Sequence, residues 1–245
     1  MKRTKQVSLA NVESGVMNSA KRFQSAIDGI KKIEIKTFFV LTGLFFLLST
    51  AIGQPGQFQQ NMGEALQQYA AAQTTEDFQQ AANKFQTIGM AAENQWLPYY
   101  YATLAYVDMS FRSESSKRDP LLDQAQENLD KAMKLKADEP ENLILQGYLY
   151  QGRIQVNPMM RGQKYATMAA ECFQKALAID QNNPRAYFLL GMNYLNTPKA
   201  FGGGPDKAKP LFEKAEEKFT SFVPESPLYP GWGKEMNEAM LKKCE

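Results

Sequence analysis

A spacing of 44 residues recurs along most of the chain and constrains its fold more than any other feature of the sequence. Tyr106, Tyr150 and Tyr194 are 44 residues apart. Four more columns share this register: Ala81, Ala125 and Ala169; Phe85, Leu129 and Phe173; Ile88, Ala132 and Ala176; Thr103, Gly147 and Gly191. A period of about 20 to 50 residues is typical of solenoids, in which stacked units share one continuous core. We therefore expect a repetitive fold.

The motif inside each repeat indicates the kind of solenoid. The period alone would favour HEAT-like or armadillo-like repeats, which run at about 40 to 47 residues. However, residues 187–194 follow the pattern aromatic-x2-Leu-Gly-x2-Tyr, with weaker copies at 143–150 and 99–106. An Ala-x3-Phe or Ala-x3-Leu unit recurs at Ala81/Phe85, Ala125/Leu129, Ala169/Phe173 and Ala208/Phe212. Over about residues 57–221 the sequence therefore resembles the tetratricopeptide repeat family, with longer helical hairpins than the usual period of about 34 residues would give.

The resemblance implies an all-α fold, an α-solenoid of about four tetratricopeptide-like helix pairs followed by a C-terminal capping helix. Helices are predicted over residues 57–72, 75–90, 95–112, 119–136, 140–156, 162–180, 184–196, 206–221 and 233–243. Several begin with a proline in the first turn, where the missing N–H costs nothing. Gly147 and Gly191 are expected where two helices cross too closely to admit a side chain.

Residues 1–53 differ from the repeats. Residues 1–36 carry eight basic and three acidic side chains, and residues 37–52 are an uncharged apolar run that ends in Ala51, Ile52 and Gly53. A basic region, an apolar run and small residues before a cleavage point are the parts of a secretory signal. The run is also shorter than the roughly 20 residues that span a bilayer comfortably. Cleavage after Gly53 is therefore the favoured interpretation.

The basic region is nevertheless longer than a signal needs, which leaves two alternatives. Translation could start later, at Met17, or residues 37–52 could stay uncut as an inner-membrane anchor, the sole membrane contact expected of the chain. With or without cleavage, we expect residues 54–245 to form one domain outside the inner membrane, periplasmic or secreted. A looser similarity of residues 201–208, FGGGPDKA, to small exported bacterial proteins agrees with this expectation.

The composition excludes most catalytic chemistry. The chain has no histidine and two cysteines, so histidine-based acid/base pairs and zinc sites of cysteine or histidine are not available. Carboxylates such as Asp130 stand four residues from lysines such as Lys134, as on solvated helix faces. Residues 202–205 lack the Gly-Lys-Ser/Thr order of a phosphate-binding loop. We expect no enzyme activity, no catalytic residues, no cofactor and no metal. Residues 54–245 have a net charge of −3 and no basic stripe, so we expect no nucleic-acid partner.

Two surfaces are candidates for binding a partner. By resemblance, the concave groove of the first helices is lined by Tyr100, Leu104, Ile144, Tyr148, Phe188 and Met192. An apolar groove of this kind suits an extended peptide or a partner helix. The alternative is that the protein fills the groove itself, with Phe222, Tyr229 and Trp232.

The second candidate surface is the rim formed by the hairpin turns, which carries Met159, Met160, Arg161 and Phe201. Insertions repeated on one face of a solenoid often form its binding face. The sequence thus predicts a non-enzymatic protein-interaction module, a scaffold or adaptor with a protein or peptide partner in the cell envelope. The alternative is a ligand-binding accessory of a periplasmic solute transport system.

Overall fold

A computed structural model describes residues 55–136 and 139–244 of the chain. The signal or anchor predicted within residues 1–53 lies outside the described residues. Residues 54–245 form one compact unit. Within the described ranges, no helix is long and apolar enough to cross a membrane.

Nine α-helices follow one another in the described residues, and no strand occurs among them. They are α1 (Pro55–Ala71), α2 (Thr75–Ala91), α3 (Leu97–Arg112), α4 (Ser115–Leu135), α5 (Glu139–Val156), α6 (Pro158–Ile179), α7 (Pro184–Asn196), α8 (Pro205–Ser221) and α9 (Lys234–Lys243). A single 3-10 turn, Lys199–Phe201, separates α7 from α8. The predicted all-α fold is confirmed.

The helices pack in consecutive pairs, α1 with α2, α3 with α4, α5 with α6 and α7 with α8, and α9 packs against α8. The second helix of each pair also contacts the first helix of the next pair. In addition, the first helices contact one another directly, α3 with α5 and α5 with α7, so they form the inner layer of the solenoid. Four pairs and a terminal helix are the architecture that the repeat predicted.

The glycines of the repeat lie at helix crossings, as predicted. A Cβ added to Gly147 would lie 2.4 Å from Cε1 of Phe173, and one added to Gly191 would lie 2.6 Å from Cε1 of Phe212. Both phenylalanines are fully buried on second helices. Glycine is therefore required at these two positions because an aromatic ring from the paired helix occupies the space of a side chain.

Two helices begin four residues earlier than the sequence predicted. Helix α4 begins at Ser115 rather than at residue 119, and its Oγ donates a hydrogen bond of 2.7 Å to the carbonyl of Val156 at the end of α5. Helix α6 begins at Pro158 rather than at residue 162, because the Asn157 side chain accepts a 3.2 Å bond from the N–H of Met160 and caps the helix. Asparagine is a strong N-cap, and that signal was overlooked in the sequence.

Candidate functional site

Residues 222–233, here called the C-terminal segment, lie against the inner helices. The indole N–H of Trp232 donates a 2.9 Å hydrogen bond to the hydroxyl of Tyr100, and its ring stacks on Tyr148 with centroids 6.0 Å apart. The hydroxyl of Tyr101 donates to the carbonyl of Leu228 at 3.0 Å. The ring of Tyr229 meets the ring of Trp96 edge-on, with centroids 6.3 Å apart. The protein therefore fills part of its own groove, which is the alternative that the sequence left open.

Because the groove is occupied, most of the six predicted groove residues are buried rather than exposed. Four of them are buried in the core: Tyr100, Leu104, Ile144 and Phe188. The structure thus corrects their expected exposure in an open groove, because neighbouring helices and the C-terminal segment cover them. Tyr148 and Met192 remain half-buried. Of the predicted set, these two are the ones a ligand can reach without displacing the chain.

A buried polar cluster lies beneath the C-terminal segment. The guanidinium of Arg185 pairs with the carboxylate of Glu141 at 2.6 Å, and both side chains are fully buried. The hydroxyl of Tyr100 and the amide of Asn183 also donate to this carboxylate, at 2.9 Å and 2.6 Å. The ring of Phe222 covers the guanidinium at 4.6 Å. With Nε and Nη2 of Arg185, the hydroxyl of Tyr100 and the amide of Asn183, the carboxylate accepts from four donor groups. The cluster is therefore a structural anchor for the segment rather than an open site.

Neither Glu141 nor Arg185 was predicted as a buried residue from the sequence. One signal was available, since Glu141 and Arg185 are 44 residues apart and occupy equivalent places in neighbouring repeats. Opposite charges at one column of a repeat face each other across adjacent first helices. A charged residue in an otherwise apolar column is therefore a sign of burial with a partner.

A second polar group lies on the inner layer, where three first helices meet. The hydroxyls of Tyr69 on α1 and Tyr148 on α5 both donate to the carboxylate of Asp108 on α3, the latter at 2.8 Å. Burial raises the pKa of the Asp108 carboxyl, although the two hydroxyls and Arg112 oppose that rise. Burial and the neighbouring Asp108 raise the pKa of both tyrosines well above the usual value. The tyrosines therefore remain protonated donors and are poor sources of tyrosinate.

Four half-buried aromatic side chains line the part of the inner layer that remains open, and we call them the aromatic face: Tyr69, Phe111, Tyr148 and Trp232. The rings of Phe111 and Tyr148 lie with centroids 5.3 Å apart, and the ring of Trp232 stacks on Tyr148 with centroids 6.0 Å apart. Arg112 is exposed next to Phe111 at the end of α3. Such a surface can stack on a planar apolar ligand and offer a cation to an acidic group at its edge.

The rim is exposed, as its position at the hairpin turns predicts. Met159, Met160 and Phe201 are 96%, 81% and 73% exposed. Arg161 differs, because its two Nη atoms donate to the carboxylate of Asp119 at 2.8 and 2.9 Å. This pair ties α6 to α4, so Arg161 has a structural task at the rim. Partner binding by these four residues stays a prediction.

Reactive groups are few in the part of the chain that the structure describes. No group of three or more Cys, Asp or Glu side chains there is arranged to hold a metal ion. Cys172 and Cys244 are both free thiols. Burial raises the pKa of the Cys172 thiol to about 11, so it stays protonated and a weak nucleophile.

Comparison with known proteins gives one extensive similarity. No family model and no curated protein sequence matches the chain. The HusA haemophore from Porphyromonas gingivalis is 30% identical in sequence, and the match covers 79% of this chain and 96% of that protein with a TM-score of 0.71. A structure of MamA is 20% identical, with 69% of this chain and 87% of MamA covered and a TM-score of 0.38. The match with HusA extends over nearly all of that protein, so the two share one helical-repeat fold.

Proposed function

This chain belongs to the family of the HusA haemophore, and we propose that it is a non-enzymatic binding protein whose ligand is a porphyrin such as haem. A haemophore is a carrier of haem, and the name of the relative supports this ligand class. The observation on this chain that carries the proposal is the aromatic face, in which four large rings from three first helices and the C-terminal segment are only partly buried.

The proposed site suits the chemistry of a porphyrin. The ligand is flat, apolar over its faces and acidic at its propionate edge. Rings of the aromatic face stack on such a plane, and each ring placed in a water-excluding pocket contributes about 1–2 kcal/mol or more to binding. The guanidinium of Arg112 lies over the ring of Phe78 at 4.4 Å and donates to the carbonyl of Asp108 at 2.9 Å, but the residue is exposed. We propose its remaining N–H groups as the donors to a propionate.

Recognition of the iron itself has little support in this chain. The chain has no histidine, the commonest haem ligand. Tyr69 and Tyr148 donate to Asp108, and their raised pKa values disfavour the tyrosinate that ferric iron prefers. We therefore propose that the ring, rather than the metal, provides the binding energy. Haem and iron-free protoporphyrin should then bind with similar affinity.

This role corresponds to the second function expected from the sequence, a ligand-binding accessory, rather than to the protein scaffold. A peptide in the groove would have to displace the C-terminal segment, whereas a porphyrin can contact Tyr148 and Trp232 where they stand. A ligand carrier outside the inner membrane also requires export, and we keep export of residues 54–245 as part of the proposal. Its support is the secretory pattern of residues 37–53.

The test is a titration of residues 54–245 with haem and with iron-free protoporphyrin, followed by the porphyrin absorbance band and by quenching of tryptophan fluorescence. Phe111→Ala should weaken the binding of both ligands about tenfold, because it removes one of the stacking rings of the aromatic face. Tyr165→Ala is the matched control, since this half-buried ring lies on the outer helix α6 beside Tyr150.

Three results would count against the proposal. The first is that neither porphyrin binds. The second is that Tyr165→Ala weakens binding as much as Phe111→Ala does. The third is that haem binds far more tightly than iron-free protoporphyrin. The first removes the ligand class, the second moves the site, and the third assigns the binding energy to the metal. Thermal melts of both variants show whether a loss of binding reflects unfolding.

A further inference from the structure

The hairpin turns of three helix pairs lie along one edge of the solenoid. The turn between α3 and α4 contacts the end of α5, since Ser115 donates to the carbonyl of Val156. The side-chain amide of Asn193 near the end of α7 donates to the carbonyl of Ala166 in α6 at 2.9 Å. Helices α6 and α7 are consecutive, joined by residues 180–183 and packed side by side, so the start of α6 and the end of α7 lie at the same end of the solenoid. This edge is the rim.

Apolar side chains project from the rim instead of packing. Met159 and Met160 occupy the first turn of α6, and Phe201 closes the 3-10 turn after α7. They are the three most prominent apolar side chains at this edge, with exposures of 73% to 96%. Exposed apolar groups gathered at one edge mark an interaction surface.

The charge of the rim is opposite to that of the rest of the domain. Residues 113–119, 157–164 and 197–207 together carry six basic and three acidic side chains. Residues 54–245 as a whole have a net charge of −3, so the remainder is distinctly acidic. The exposed side chains of Lys164 and Lys199 lie close to the apolar ones in sequence. Lys199 also pairs with Asp206 at 2.9 Å, and both side chains of this pair are exposed, so lipid phosphates can compete with the carboxylate. A partner of this edge should therefore be anionic and should also provide an apolar environment for the three exposed side chains.

We propose that the rim docks on the surface of an anionic lipid bilayer. Met159, Met160 and Phe201 enter the layer between headgroups and acyl chains, and the flanking lysines contact lipid phosphates. Protruding apolar tips with basic neighbours are the pattern of peripheral membrane contacts. Protein hot spots instead lie in packed, water-excluding pockets, and no such pocket surrounds these three side chains.

The experiment uses residues 54–245, which form a compact unit with its own core, so that the apolar run and the basic region before it cannot bind lipid themselves. Co-sedimentation is measured with vesicles of phosphatidylcholine alone and with about 30% phosphatidylglycerol added. We expect binding to the anionic vesicles and at least several-fold weaker binding to the neutral ones. Raising the salt from about 50 mM to about 300 mM should weaken binding to the anionic vesicles several-fold, because the basic side chains are exposed and salt screens them.

The variant Met159→Ser/Met160→Ser/Phe201→Ser should lower partitioning about tenfold or more, because three apolar side chains no longer enter the bilayer. The matched control is Met90→Ser/Val223→Ser, which removes two apolar side chains of 70% and 84% exposure outside the rim. This control should bind vesicles as the unsubstituted protein does. Since all five positions are exposed, none of the substitutions should lower the melting temperature appreciably.

Two outcomes would overturn the proposal. One is the absence of sedimentation with anionic vesicles at low salt. The other is equal loss in the rim variant and in the control, or no loss in either. If the rim variant instead abolishes association with a purified protein partner while vesicles are never bound, the rim is a protein-binding surface.

Discussion

Glu141 and Arg185 form a fully buried ion pair between equivalent positions of two consecutive repeats. They are 44 residues apart, and their closest N–O distance is 2.6 Å. Arg185 also lies beneath Phe222 of the C-terminal segment, and Glu141 accepts from Tyr100, which in turn accepts from Trp232. The pair therefore connects the stacking of the repeats to the closure of the groove.

Glu141→Gln should lower the free energy of unfolding by about 3–5 kcal/mol, because the variant leaves the Arg185 charge buried without its counter-charge. Urea unfolding followed by circular dichroism measures this loss. Glu64→Gln is the control, since Glu64 pairs with Lys84 at 3.2 Å on an exposed face and should matter little. Equal stability of the two variants would show that the buried pair does not support the fold.

Gly147→Ala should destabilise the protein by about 1–3 kcal/mol, because the added methyl overlaps the ring of Phe173. Gly162→Ala is the matched substitution in α6, where a Cβ meets nothing within 4 Å. There alanine should raise stability by up to about 1 kcal/mol through helix propensity. Opposite signs in urea unfolding are expected, and the same sign for both would refute the close-contact role of Gly147.

Trp232→Ala should loosen the C-terminal segment, because it removes the hydrogen bond to Tyr100 and the stack on Tyr148. We expect a loss of about 2–3 kcal/mol, below the roughly 3–5 kcal/mol of a fully buried aromatic truncation. Binding of a hydrophobic dye should rise as buried rings become exposed. Trp232→Phe keeps an aromatic ring but has no N–H donor. Its stability and dye binding should lie between those of the unsubstituted protein and those of Trp232→Ala. Unchanged stability and unchanged dye binding in Trp232→Ala would contradict the packing of the C-terminal segment on Tyr100 and Tyr148.

The stability contributed by Asp108 should fall as the pH rises. Burial raises the pKa of this carboxyl above its ordinary value of 3.8. The native state therefore holds the proton more tightly than the unfolded chain does. The contribution is fully present below the unfolded pKa and is lost as the pH rises through the native pKa.

Asp108→Asn removes this titration while keeping a polar partner for Tyr69 and Tyr148. The free energies of unfolding of both proteins are measured between about pH 4 and about pH 8. As the pH rises, the unsubstituted protein should become less stable relative to the variant. Tyr148→Phe should steepen the decline, because it removes a donor that lowers the pKa of Asp108. A constant difference across this range would mean that Asp108 titrates alike in both states.

The sequence by itself determined the repeat and the helix pairs, and it located the glycines of the helix crossings. These follow from short-range chemistry, since the Tyr, Ala and Phe columns recur every 44 residues and each hairpin is formed by residues close in sequence. The exposure of Met159, Met160 and Phe201 followed for the same reason, because hairpin turns project from the stack.

Only the tertiary structure decided what occupies the groove and which charges are buried. Trp232 reaches Tyr100 across 132 residues, and Tyr101 reaches Leu228 across 127. No periodic pattern encodes such contacts, because the C-terminal segment lies outside the repeat and its place depends on the shape that all four pairs make together. Asp108 likewise meets Tyr69 and Tyr148 because three first helices bring these side chains together. The set of rings in the aromatic face, which we propose as the binding surface, therefore depends on how the helix pairs stack rather than on sequence spacing.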